Sequence, residues 1–165
     1  MVFNHMLTHG LFFGLVAIGS LFLIMIITSP RVWGYVDYPE AIKRKVPPQT
    51  KKEKRLAALV AIPWTIFVLA FPVFSTYALK SKLGGVIPFW TAFLNLFVLA
   101  LFAVLGDLVI LDWLVVSRIT PKFVMIPGTV KEDYRDFSHH YIAHAKAAAI
   151  IIPFLMVVAG LISFH

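Results

Sequence analysis

Towards the end of the chain Asp136, His140 and His144 are spaced i, i+4, i+8, with His139 beside them. On a helix this spacing stacks the side chains along one stripe. Two histidines one turn apart can grip a divalent metal, and a carboxylate from a facing helix can complete the coordination. Two such carboxylates, Asp107 and Asp112, stand in an otherwise apolar run. Asp107 precedes Trp113 by six residues, so it lies about 9 Å inside the headgroup level at helical rise. A carboxylate at that depth is costly and by default marks a functional site whose partner has to be named. The candidate metal ligands are therefore Asp112, Asp136, His140 and His144, and the candidate catalytic groups are Asp107, Asp112 and His140. In a regular α-helix residues five apart are separated by about 140°, so Asp107 and Asp112 form no acid–base pair unless the helix is distorted. The competing reading is structural: a solvated histidine face, with Asp107 held by a Lys or Arg of the adjoining loop.

The pattern His139-His140-x-x-x-His144 resembles a histidine box of the membrane di-iron desaturases and hydroxylases. Those enzymes need several boxes and these residues make one, so the resemblance fails on count. A second histidine cluster comprises His5, His9 and His165, which meet if both chain ends lie on one side; fraying of the ends argues against a site there. The chain has no cysteine, which excludes disulfides, thiolate catalysis and cysteine-ligated metals. Walker, dinucleotide-binding, nucleophile-elbow and His-Glu-x-x-His motifs are all missing.

The elements that must position these residues are membrane helices. Of the 165 residues 60% are hydrophobic and only 14% charged, where a soluble domain is nearer half and a quarter. Four apolar runs reach the roughly 20 residues that cross a hydrocarbon core. They span about 11–28, 56–79, 86–116 and, within a helix expected over 130–164, Ala147 to Phe164. The last helix is expected to start early because Thr129-Val130-Lys131-Glu132 reads as a capping box. Met1 to Gly10 lacks the cations of a signal peptide, so the first run is expected to remain as a helix.

Charge orients these helices. Thirteen of the fifteen Lys and Arg residues fall in the connections 29–55 and 117–146, and only Lys80 and Lys82 fall between the second and third helices. The positive-inside rule puts the two basic connections in the cytoplasm. The expectation is thus an all-α, polytopic plasma- or inner-membrane protein: a single domain over 1–165, a four-transmembrane-helix bundle with both termini on the non-cytoplasmic side. The net charge of +7 suits anionic headgroups of the bilayer and, without an accompanying motif, not nucleic acid. The first connection reads as a basic tether along the headgroups. Ser29-Pro30-Arg31 and Thr120-Pro121-Lys122 repeat a helix-end pattern, read as convergence because proline and cations suit any helix C-terminus.

Gly10-x-x-x-Gly14 and the alanines from Ala143 to Ala149 permit close helix approach, within the monomer or in a homo-oligomer or larger membrane complex. Pro63, Pro72 and Pro153 will bend their helices. On sequence alone a partner-binding or accessory protein leads. A membrane-embedded enzyme with an Asp/His site at the cytoplasmic boundary, with or without a divalent metal, comes second, and a small oligomeric transporter or channel third.

Overall fold

A computed structural model describes residues 1–164. Among them there is no strand. The helices are α1 (Val2–Ile27), the single turns α2 (Pro30–Trp33) and α3 (Glu40–Lys43), α4 (Lys51–Lys82), α5 (Phe89–Gly106) and α6 (Ser138–Phe164). A wider, π-wound stretch, Asp107–Ile119, continues α5, and a 3-10 turn, Lys131–Tyr134, precedes α6. Four helical stretches are long and apolar enough to cross a membrane: α1, α4, α5 with its π continuation, and the segment ending in α6.

α5 is the central element, packed on α1, α6 and α4. Small residues set its distance from α1. A methyl group on Gly14 would stand 3.1 Å from Phe102 Cβ and 3.3 Å from the Phe102 backbone, and one on Gly106 would meet Ile18 at 2.7 Å. The Gly10/Gly14 face is thus occupied inside the monomer. α4 packs differently: its buried residues are Pro72, Ser75, Thr76, Leu79 and Lys80, all in its last third. Of its first twenty residues, Lys51 to Ala70, none is buried, although Trp64 Nε1 donates to Ser20 Oγ at 3.3 Å and the Phe67 ring lies 5.7 Å from that of Phe13.

At the basic end the two connections fold onto one another. Tyr38, Ile42 and Val46 of the first are buried with Val124, Ile126 and Tyr134 of the second. The Tyr38 hydroxyl donates to Val124 O at 2.8 Å, and Tyr134 OH accepts from Ile126 N at 2.9 Å. Burial pushes the Tyr38 phenol well above its ordinary pKa. The first connection is therefore a folded cap rather than a slack tether, because its tyrosine and aliphatic residues bury area against the second. Arg31 fastens it. Its guanidinium grips Glu53 through Nε at 2.6 Å and Nη2 at 3.1 Å, and also donates to the carbonyls of Pro47 and Pro48. The Glu53 hydrogen bond holds Arg31 above its usual value. The same carboxylate closes a capping box with Thr50 at the start of α4.

Three expectations need correction. The helix expected from 130 breaks, and α6 begins at Ser138. Thr129 spends its hydroxyl on Ile126 O and Tyr134 OH instead of capping a helix. α1 starts at Val2 rather than near Leu11, since the apolar residues before Gly10 already find a partner in the opposite core around Leu79 and Leu96. The two proline-bearing helix ends also differ: Ser29 is extended and caps Arg31 N, whereas Thr120 is left-handed at φ 46°, in keeping with convergence.

Gly14→Val should cost about 1–3 kcal/mol, because the Phe102 backbone cannot give way. Gly19→Ala, with open space around it, should be neutral or gain up to about 1 kcal/mol. Thermal unfolding in detergent separates them; equal stability of the two variants would contradict the α1–α5 contact.

Candidate functional site

The winding of 107–119 builds the site. In an i→i+5 helix, residues five apart lie nearly above one another, and π-type segments are rare and frequent at functional sites. Ser117 Oγ donates to Asp112 O and Thr120 N to Val115 O, both at 2.8 Å and both across five residues. Thr120 ends the stretch in a left-handed conformation unusual for a β-branched residue, with its hydroxyl on Val116 O at 2.7 Å. The consequence is that Asp107 and Asp112 converge. The expectation that they sit on different faces holds only for a regular α-helix, and this helix is not one.

α6 brings the histidines to them. His144 Nε2 lies 2.9 Å from Asp112 Oδ2 and 3.7 Å from Asp107 Oδ2, and His140 Nδ1 lies 3.1 Å from Asp112 Oδ1. One carboxylate thus serves two histidines, the i, i+4 stripe read from the sequence. Asp107 finds His144 rather than a loop cation. Asp107, Asp112 and His144 each present a ligand atom within 4.8 Å of the others. Two ligands about 2.1 Å from a tetrahedral zinc ion stand about 3.4 Å apart. The two separations from His144, 2.9 and 3.7 Å, bracket that figure. His140 would then support Asp112 from behind, as groups beside ligating carboxylates do. Asp136 stays outside this group: it is exposed, and its carboxylate caps Ser138 N at 3.0 Å.

These groups line a cavity of about 730 Å³ between α1, α4, the π stretch, α6 and the turn after α2, within the roughly 300–1,000 Å³ of small-molecule sites. Asp37 stands at its mouth. Loss of solvent around the Asp37 carboxyl pushes its pKa up, and the Asp112 charge adds to this. His139 Nε2 bonds the Asp37 carbonyl oxygen at 2.9 Å. The Trp33 ring forms part of the wall, and its Nε1–H is buried with no protein partner. Neither Asp37 nor Trp33 was singled out for this site from the sequence, since both belong to a connection whose folding back over the helices leaves no periodic signal.

At the opposite end His5 and His9 stack with ring centroids 3.7 Å apart. Ser75 Oγ lies 3.2 Å from His5 Nε2 and 3.0 Å from His9 Nδ1. Asn95 Nδ2 donates to Thr76 Oγ1 at 2.9 Å, and Lys82 Nζ lies 3.3 Å from His5 Nδ1. The first helix holds these histidines firmly; His165, grouped with them in the sequence, lies outside the described residues. No cavity among those described opens here, and the cluster is read as a tie between α1, α4 and α5.

No protein family matches the chain, and no curated protein or solved structure is similar to it.

Asp112 and His144 should be coupled by about 0.5–3 kcal/mol in a double-mutant cycle of Asp112→Ala and His144→Ala, read by unfolding in detergent. Additive losses would mean that the two side chains do not meet in solution.

Proposed function

We propose that the chain is a multi-pass plasma- or inner-membrane protein, its basic end cytoplasmic, that works as a membrane-embedded metal-dependent enzyme. The observation that carries this is the convergence of Asp107, Asp112 and His144 on one wall of a cavity of about 730 Å³. The bias of thirteen cations towards that end supports the orientation.

Asp107, Asp112 and His144 would hold one divalent ion, with the cavity side left open. Three protein ligands and a free position are the arrangement of catalytic rather than structural zinc. Bound there, the ion would supply a Lewis acid and an activated water, the equipment of metal-assisted hydrolysis. The chain's own residues do the rest. His140 fixes the Asp112 carboxylate from the side away from His144. Asp37, at the mouth and with a raised pKa, is placed to accept and return a proton. The apolar walls of Leu21, Ile24, Val60 and Val116 exclude bulk water.

A partner-binding or accessory role is the second reading. It rests on α4, the least covered of the four long helices, whose exposed side suits a second membrane protein or another copy. Strict monomers in detergent and no co-purifying membrane protein would remove its support.

The purified protein should bind about one equivalent of zinc, manganese or iron(II), measured by elemental analysis after dialysis. Asp107→Ala or His144→Ala should abolish stoichiometric binding, and His140→Ala should weaken it about 10–100-fold, as loss of a supporting partner does. Asp136→Ala should leave it unchanged. Metal-free protein, or a triple variant that binds as well as the parent, would defeat the proposal.

A further inference from the structure

The cavity's charge inventory and its way out define what it takes in. The chain has fifteen Lys and Arg residues, thirteen of them in the connections at this end. Not one lines the cavity, whereas Asp37, Asp107 and Asp112 do. An anionic headgroup entering here would meet three carboxylates with only His139, His140 and His144 beside them and no Lys or Arg to offset them, an unfavourable pairing in a partly desolvated site. A divalent ion held by Asp107 and Asp112 cancels their charge and leaves nothing over to neutralise a phosphate. An uncharged head with a hydroxyl, ether or carbonyl oxygen carries no such penalty, and its oxygen can fill the open position of the ion.

The exit points to the bilayer. Ala58, Ala61 and Thr65 on α4 and Ala143 on α6 line the cavity and are exposed. Each is small, so the rim between α4 and α6 is a slot bordered by methyl groups and one hydroxyl. The slot lies along the stretch of α4 that buries nothing, ahead of Pro72, where the buried residues of α4 begin. The proline ring at Pro72 removes the backbone hydrogen bond to the Val68 carbonyl, and one turn on Thr76 Oγ1 donates to Pro72 O at 2.8 Å. The α4 side of the slot thus lies in the apolar run that begins at Leu56, and its α6 side lies beside His144 and Lys146, at the boundary between the apolar and basic parts of the bundle.

We infer that the cavity receives a single-chain amphiphile with an uncharged, oxygen-bearing head, which enters from the bilayer between α4 and α6 and leaves its tail in that slot. This rests on the metal reading above, because the ion is what balances Asp107 and Asp112 and offers the head an open position.

Three probes with the same tail separate the possibilities: 1-O-oleylglycerol, oleyl phosphate and oleylamine, each offered to metal-loaded protein in nanodiscs and counted by native mass spectrometry. Oleylglycerol should bind at least tenfold more tightly than oleyl phosphate. Ala61→Trp with Ala143→Trp should cut that binding at least tenfold and leave the bound metal at one equivalent, whereas Ala70→Trp, exposed on α4 away from the cavity, should change neither. Equal binding of oleyl phosphate, or unchanged binding to the doubly blocked variant, overturns the proposal. Should the blocked variant fail to fold, an oleylglycerol with a diazirine in its tail should label α4 before Pro72 or the start of α6 in the parent protein; labelling confined elsewhere overturns it equally. Stoichiometric metal without oleylglycerol binding sinks the amphiphile alone. Protein that takes no metal and prefers oleylamine sinks both the metal site and this inference.

Discussion

The i→i+5 winding of residues 107–119 is the constraint from which the rest of the basic end follows. It carries two carboxylates to one face of a single helix, where mutual repulsion and loss of water would each be costly. What makes the arrangement tolerable is α6, which lays His140 and His144 across Asp112 and brings His144 within reach of Asp107. α6 can lie there because the chain breaks before Ser138 and restarts with Asp136 as its cap. The early break, the cap and the histidine stripe therefore serve one geometry.

The helix count and the chemistry-bearing residues were legible in the sequence because both rest on local signals. Hydropathy over about 20 residues marks a span, and i, i+4 spacing marks a face. The convergence of Asp107 and Asp112 was not legible, since nothing in Asp-Leu-Val-Ile-Leu-Asp announces a five-residue turn. Thr129 illustrates the opposite error. Its capping-box pattern with Glu132 is sound as local chemistry, yet Ile126 O and Tyr134 OH, three and five residues away, take its hydroxyl into a turn instead, and the helix starts later. Asp37 and Trp33 escaped because they come to the cavity only through the folding of a connection. Ser75, Thr76 and Asn95 were visible only as a thin polar scatter until His5 and His9 gathered around them.

The two ends of the bundle treat polar groups in contrasting ways. At the end of His5 and His9, serine, asparagine and histidine satisfy one another across three helices; among the described residues there, Asn95 Oδ1 is buried without a partner. At the basic end the polar groups border empty space, and the half of α4 along that cavity buries none of its residues. A bundle built only for stability would cover that half, because burying its apolar residues would add to packing. The unburied half is where stability and access to the site are in competition.

The contact between Tyr38 and Val124 spans 86 positions in the chain, and this has a consequence for biogenesis. At about 5–20 residues per second of synthesis, the segment around Tyr38 waits roughly 4–17 s after its own emergence before its acceptor exists. During that interval α4 and then α5 are made, while Tyr38, Ile42 and Val46 still lack the second connection that covers them. Closure of the cap is therefore a late event that reports whether the third helix has entered with the correct orientation. A nascent chain in which that helix inserts the wrong way would leave an apolar, tyrosine-bearing loop exposed at the membrane surface, a ready mark for quality control.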